Sequence, residues 1–309
     1  MTAFQPAVSG AQLPLILQKL NGQLFSSLHF LFFGVSLSEE IKKWFSFDGK
    51  ELRGSIAKGS KRGIAVVQAV CHQDRETHAE TFYDGKKESE IPCVRALLKA
   101  GLSTQKSSLD ALHLNPETTK IINKNKGIYL IGLKENQPEL LTEMTSLLTL
   151  IPANNTLKDP SEKGHGRIDE RHYKSFDIST VGFDKRWKHA NFQTLIWVER
   201  TSYECKTKKE SKEVSYYLSN IKQPQGNELF EATRNHWKIE TNNHVRDVTF
   251  YEDALKTTKS NLSKIVASCR TLLINLLSKE KYENMTAQLE LFSDDFQLLC
   301  SWLKKIKFL

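Results

Sequence analysis

Three acidic residues stand at positions from which their carboxylates could act together on a phosphodiester bond. Asp48 lies on or just after a strand-like segment, Asp110 ends a second strand, and Glu240 lies on a helix much further along the chain. Carboxylates at strand ends and on one crossing helix can converge above the sheet of an α/β fold. Such a set suits Mg²⁺, and two ions can activate an attacking oxygen and stabilise a leaving oxygen. The chain has 36 acidic residues, so many other triples exist, and each of these three could instead be a turn, strand-end or surface residue.

The segments around these acids have the pattern of a sheet flanked by helices. Residues 44–48 alternate bulky and small side chains, and residues 63–71 form an apolar run typical of a strand covered on both faces. Between 104 and 150, strand-like and helical stretches alternate, which predicts parallel strands joined by helical crossovers. Short alternating runs over 151–228 predict an antiparallel β segment, and 228–243 returns to a helix that carries Glu240.

These patterns predict an α/β fold in five consecutive segments. We expect a short helical N-terminal segment over 1–43, which is a shortened DNA-binding region, and the first part of the core over 44–150. A β insertion between the second aspartate and the glutamate follows over 151–228. The core helices with the glutamate occupy 229–280, and a basic amphipathic tail occupies 281–309.

The charge balance favours a polyanionic partner. Forty-four Lys and Arg residues against 36 Asp and Glu residues give a net charge of +8. Residues 42–62 hold seven basic and two acidic residues, which suggests phosphate contacts beside Asp48, although a solvated loop is the alternative. The predicted DNA-binding residues are Lys50, Arg53, Lys58, Lys61, Arg62, Arg167, Arg234, His236 and Trp237. Arg167 could equally belong to a plain turn, and Trp237 could pack against the helix instead of stacking on a base.

The cysteines and the apolar segments indicate a soluble protein of a reducing compartment. The five cysteines form no CxxC pair, which argues against a disulfide framework or a zinc cage. His72 and His78 lack metal-ligand spacing and are interpreted as structural. The most apolar stretch, residues 24–37, is too short to cross a bilayer, so we expect a cytoplasmic protein without a membrane partner.

Five motifs occur in order over residues 44–255. They are FDGKELRGS at 47–55, LDALH at 109–113, LKENQP at 133–138, GHGRIDER at 164–171, and RNHWKIE at 234–240 followed by DVTFYED at 247–253. Together they resemble the signatures of the H-repeat-associated insertion-sequence transposases.

The resemblance implies a DDE transposase with a ribonuclease-H-like mixed sheet flanked by helices. Asp48, Asp110 and Glu240 would be both the catalytic residues and the ligands of two Mg²⁺ ions, for which Mn²⁺ can substitute. Water would attack a phosphodiester at the element end, and the freed 3′-hydroxyl would then attack target DNA. The implied partners are the terminal inverted repeats and target DNA, with a homodimer in the synaptic complex, in the bacterial cytoplasm or nucleoid.

A second hypothesis is a catalytically inactive DNA-binding remnant of such an enzyme. The segment ahead of Asp48 is shorter than the family pattern, and the spacing from Glu240 to Asp247 is one residue shorter than usual. One missing residue turns a helix by about 100°. This change could misplace Arg246 and Asp247 against the site.

Overall fold

The computed structural model describes residues 8–33, 37, 40–84, 90–164, 166–222, 226–280 and 284–305. Its helices are α1 (Gln12–Leu17), α2 (Gly22–Phe33), α3 (Glu90–Lys99), α4 (Pro116–Lys124), α5 (Pro138–Leu147), α6 (Glu228–His236), α7 (Lys238–Val248), α8 (Ser260–Lys279), α9 (Met285–Asp294) and α10 (Phe296–Lys305). Its strands are β1 (Trp44–Glu51), β2 (Ile64–Cys71), β3 (Thr77–Asp84), β4 (Lys106–Leu109), β5 (Ile128–Leu133), β6 (Asn155–Lys158), β7 (Glu162–Gly164), β8 (Arg167–Asp177), β9 (Thr194–Glu204) and β10 (Lys209–Ser219). The strands belong to a large mixed sheet with flanking helices.

The chain divides into two compact units, which are described separately. Unit 1 comprises Met1–Leu37, Asp48–Leu97 and Lys238–Leu309, and unit 2 comprises Ser38–Phe47 and Leu98–Trp237. The division falls within β1. The segment expected over 44–150 is therefore shared between both units.

Unit 1 is built on an antiparallel hairpin covered by helices. Strand β2 pairs with β3, and all eight residues of β2 are buried, which confirms the apolar run as a strand covered on both faces. Helix α8 packs against α2 and β2. One apolar cluster consists of Leu52, Ile64, Val66, Phe82 and Ala267, and a second contains Leu276, Leu277, Phe292 and Trp302.

Unit 2 contains both parallel and antiparallel strand pairs. The first half of β1 pairs in parallel with β4, and β4 pairs in parallel with β5. Strand β10 lies antiparallel to β5 and continues the sheet through β9 to β8, with β6 and β7 both on β8. The predicted parallel pairing after 104 and the predicted antiparallel pairing over 151–228 are thus both observed. Residues from β1, β5, β8, β9 and α6 form its apolar core.

The observed ends of the helices confirm one prediction from local sequence and contradict another. Asn115 caps α4 by accepting a hydrogen bond from the N–H of Thr118 at 3.0 Å, with Pro116 at the first helical position, as the sequence indicates. The prediction of one continuous helix over 228–243 is wrong. Trp237 adopts φ −69° and ψ −8°, which is closer to a 3-10 turn than to an α-helix, so α6 ends at His236 and α7 starts at Lys238. Glu240 consequently lies in the first turn of a separate helix.

None of the helices in the described ranges combines the length and the apolar character that a membrane span requires.

Candidate active site

Asp48 occupies a crowded acidic position in the middle of β1. It follows Phe47, which is buried, and shares its strand face with Ser46 because side chains alternate along a strand. Burial, and after it the negative charges of Glu90 and Glu240, raise the pKa of Asp48 to about 6, against the opposing effects of the Gly49 N–H and Asn243. The Asn243 amide donates a hydrogen bond to Asp48 Oδ2 at 2.9 Å. This carboxyl group therefore lies where added positive charge is favourable.

Glu90 is an acidic neighbour that the sequence analysis did not single out. It begins α3, and its carboxylate lies against the backbone of Gly49, where a Cβ would meet Glu90 Oε2 at 2.4 Å. A side chain at position 49 would require the Glu90 carboxylate to move away. The available sequence signal is weak, since an acid in the first turn of a helix is common on electrostatic grounds alone.

Glu240 is exposed on α7, and α7 is fixed by side chains on either side of it. Asn242 donates to Gln68 Oε1 at 3.3 Å, and Lys50 donates to Asp247 Oδ2 at 2.7 Å. Arg246 is fully buried and ion-paired with Glu252. Arg246 and Asp247, the residues that the shorter spacing could have displaced, therefore both have carboxylate or ammonium partners.

Asp110 lies in unit 2, directly after β4. Its Oδ1 accepts the N–H of Ala111 at 2.7 Å and lies 3.4 Å from Lys134 Nζ. Burial raises the pKa of Asp110, but the Ala111 N–H and the charge of Lys134 outweigh it, so that the pKa falls below its ordinary value. Asp110 is consequently an ionised carboxylate at neutral pH.

Two serines on neighbouring strands of unit 2 precede Asp48 and Asp110 at the same distance along the chain. Ser46 and Ser108 are partners in the parallel β1–β4 register, and their hydroxyl oxygens lie 3.1 Å apart. His236 Nδ1 forms a hydrogen bond with Ser108 Oγ at 3.1 Å. Burial lowers the pKa of His236 to about 4, so its ring is neutral at neutral pH.

Apart from His236, which bonds to Ser108, the predicted phosphate-binding residues fall into two groups. Lys50 and Arg234 are engaged with carboxylates: Lys50 pairs with Asp247, and Arg234 pairs with Glu162 and, at 3.4 Å, with Asp159. The exposed group consists of Arg53, Lys58, Lys61, Arg62, Arg167 and Trp237, of which Trp237 is 53% exposed. Within this group, Arg53 lies 3.9 Å from Asp253 and Arg167 lies 3.7 Å from Asp169. His165 of the GHGR motif lies outside the described residues.

The carboxylates of unit 1 offer oxygen ligands for a hard cation, and the same unit also contains a compact cluster of potential metal ligands. Among the described residues, the set whose ligand atoms all lie within 4.8 Å of one another is Cys71, Asp74 and His78. Sequence reasoning missed this set because Cys71 and His78 lie on different strands and no familiar metal-binding spacing joins them.

The chain is similar to a curated protein in sequence and to a solved structure in its fold alignment. No family model matches the chain. The chain is 27% identical over 240 residues to an Escherichia coli O157:H7 protein described as "Putative transposase YncI". The match covers 75% of this chain and 61% of that relative, so the chain spans less than two thirds of the relative's length. A piggyBac transposase in a synaptic complex with hairpin DNA aligns with a TM-score of 0.44 and 14% identity, covering 80% of this chain and 50% of the other.

Proposed function

We propose that this chain is a DNA transposase of the DDE type that cuts and joins phosphodiester bonds at insertion-sequence ends. In this proposal it is related to the H-repeat-associated family and has a ribonuclease-H-like core in which β6–β10 form the insertion. The observation that carries the proposal is the position of Asp48, whose carboxyl group is half-buried among the charges of Glu90 and Glu240. The sequence similarity to a protein described as a putative transposase supports the same proposal.

The proposal assigns Asp48, Asp110 and Glu240 as the catalytic carboxylates. Asp48 lies in β1 and Asp110 directly follows β4, and each comes two residues after one of the paired serines Ser46 and Ser108. After burial and the charge of Glu90, the negative charge of Glu240 also raises the pKa of Asp48.

The donor set fits Mg²⁺ or Mn²⁺. All three proposed ligands are carboxylates, the donors that these hard cations prefer. Burial, together with the negative charges of Glu90 and Glu240, raises the pKa of Asp48, and a bound cation would favour its ionised form. Bound there, two such ions would polarise the phosphodiester and neutralise the charge that develops on its oxygens. The chain itself orients Asp48 through the Asn243 amide and keeps Asp110 ionised through the Ala111 N–H and Lys134.

The exposed basic residues near β1 are proposed to contact the DNA backbone. Arg53, Lys58, Lys61 and Arg62 are all exposed, and each phosphate that they neutralise adds salt-dependent affinity without reading sequence. Arg167 and Trp237 are further exposed candidates, Trp237 as a base-stacking surface. Lys50, Arg234 and His236 are proposed to position neighbouring groups, because each is partly buried and bonded to another side chain. A homodimer would hold the two element ends together.

The test is metal-dependent cleavage of the flanking genomic DNA by the purified chain. We expect cleavage with Mg²⁺ or Mn²⁺ and a loss of more than about a hundredfold in Asp48→Asn, Asp110→Asn and Glu240→Gln, because each loses a metal ligand. Glu290→Gln, which neutralises an exposed acid on α9, is the matched control. If the three variants cleave as the wild type does, the catalytic assignment is wrong.

The inactive-remnant hypothesis makes a different prediction for the same preparation. It requires salt-sensitive DNA binding with no cleavage or joining at any Mg²⁺ or Mn²⁺ concentration. The shorter spacing after Glu240 motivates it, whereas the paired side chains of Arg246 and Asp247 argue for an intact α7. Nicking of the terminal repeats by the wild-type chain would eliminate it.

A further inference from the structure

We propose that Cys71, Asp74 and His78 form a zinc-binding site at the closed end of the β2–β3 hairpin. Cys71 is the last residue of β2, Asp74 lies in the turn, and His78 lies in β3. One sulfur, one carboxylate oxygen and one imidazole nitrogen lie within 4.8 Å of one another. This site is independent of the carboxylates assigned to catalysis.

The hairpin backbone brings these three side chains together through two local irregularities. Val70 pairs with Thr77 and Ala69 pairs with Ala79, so His78 is the extra residue of a β-bulge, a feature that redirects a side chain. Arg75 adopts a left-handed conformation with φ 62°, and its N–H donates to Cys71 O at 3.1 Å. The turn thereby folds Asp74 back toward both strands.

The distances and donor types fit zinc better than a hard cation. Asp74 Oδ2 lies 3.2 Å from His78 Nε2. Tetrahedral zinc with ordinary bonds to S, N and O ligands needs neighbouring ligand atoms about 3.3–3.7 Å apart. Thiolate and imidazole select zinc over Mg²⁺, which takes oxygen ligands. The set therefore needs only small side-chain shifts to enclose an ion, with the fourth position left to water.

Burial and surrounding hydrogen bonds support a built site. Cys71 is fully buried, and the His78 side chain is 4% exposed, whereas the Asp74 side chain is 27% exposed and leaves a route for an ion. Asp74 Oδ1 also accepts the N–H of Glu76 at 3.0 Å, which fixes the carboxylate in place. The same turn contacts α7, because Lys238 donates to His72 O at 3.1 Å. A metal here would tie the hairpin turn to the start of the helix that carries Glu240.

The experiment is metal binding by the untagged full chain after treatment with a chelator. Titration with Zn²⁺ and with Co²⁺ should give one bound ion per chain, a thiolate-to-cobalt charge-transfer band and a rise in melting temperature with Zn²⁺. Cys71→Ser should lose the charge-transfer band, and His78→Gln should weaken Zn²⁺ binding by more than about tenfold. Cys93→Ser, which alters a different buried thiol, is the matched control and should bind as the wild type does.

Several results would overturn the proposal. One is Zn²⁺ binding by the wild type that is no tighter than binding by His78→Gln. Another is an equal rise in melting temperature with Mg²⁺. Either would leave the three side chains as a hydrogen-bonded cluster only. If Cys71→Ser fails to fold, Asp74→Asn is tested in its place, because an amide keeps hydrogen-bonding capacity but is a much poorer zinc ligand. Full retention of Zn²⁺ affinity by Asp74→Asn would also contradict the site.

Discussion

Replacing Glu252 should destabilise the protein more than replacing its partner Arg246. The two side chains are 1% and 0% exposed, and Arg246 donates to Glu252 through Nε at 2.8 Å and through Nη2 at 2.6 Å. Arg246 also donates to Thr271 Oγ1 at 2.7 Å and to Ala267 O at 3.2 Å. A second guanidinium, that of Arg270, lies 3.9 Å from Glu252. One carboxylate therefore serves two arginines.

Because Glu252 is a partner of two arginines and Arg246 has one carboxylate partner, the two substitutions should lower the free energy of unfolding by different amounts. Breaking a buried ion pair costs about 3–5 kcal/mol, because the remaining charge stays in a poorly solvated place. Arg246→Met leaves Glu252 with Arg270, so we expect about 3 kcal/mol. Glu252→Gln leaves two guanidiniums without their carboxylate, so we expect about 5 kcal/mol. In the double variant the buried charge of both partners is gone, so its cost should fall below the sum of the single losses by about 1–3 kcal/mol.

Urea unfolding followed by tryptophan fluorescence measures these differences in the free energy of unfolding. The slope with denaturant should stay constant among the variants, so that shifts in midpoint report stability alone. Arg53→Met is the matched control, because Arg53 is 75% exposed and 3.9 Å from Asp253, and we expect a change below about 0.5 kcal/mol. A larger loss in Arg246→Met than in Glu252→Gln would refute the reasoning, as would a loss below about 1 kcal/mol in both.

Gly54→Ala should destabilise unit 1 by about 1–3 kcal/mol, because a Cβ at this position would meet the backbone oxygen of Leu255 at 2.0 Å. Gly182→Ala is the control, because a Cβ there would meet nothing within 4 Å, and it should leave stability unchanged. Thermal unfolding of both variants measures the difference. Asp169 is partly desolvated, which raises its pKa, but Ser202 and Arg200 outweigh this and hold the pKa below the ordinary 3.8. A carboxylate whose pKa is lower in the folded state stabilises the protein above the ordinary pKa of 3.8, and this stabilisation is lost as the pH falls through the folded-state pKa. The difference in the free energy of unfolding between wild type and Asp169→Asn should therefore shrink below pH 3.8 in acid titrations. A difference that stays constant with pH would contradict this prediction. Changing exposed basic residues to Gln should reduce the slope of log affinity for DNA against log salt by about 0.9 per lost phosphate contact, and an unchanged slope in all four variants would place the DNA elsewhere. The residues to change are Arg53, Lys58, Lys61 and Arg62.

Much of the local structure could be predicted because it depends on neighbours in the chain. The apolar run of β2, the Asn115-Pro116 start of α4 and the alternating segments of β8–β10 each have a pattern that one kind of secondary structure explains. The same local logic placed Asp48 on a strand, Asp110 after a strand and Glu240 on a helix. Their joint catalytic role stays a prediction.

Contacts between distant segments could not be predicted, because they depend on strand register and on helix packing. Glu90 approaches Gly49 only because α3 begins beside β1. Arg234 faces Glu162 rather than an open surface, a partner that no spacing in the sequence indicates.

The sequence by itself determined the order of strands and helices, the positions of the acidic residues on them, and a basic segment around Asp48. The tertiary structure decided which charges are paired and which are free to meet a ligand. A bulge of one residue at His78 turns a histidine toward Cys71 and Asp74, and one buried carboxylate at Glu252 fixes α7 through Arg246. The amino-acid sequence determines which chemical groups are present. The burial of these groups and the distances between them set their pKa values and their affinity for ions, and both arise only when the segments pack together.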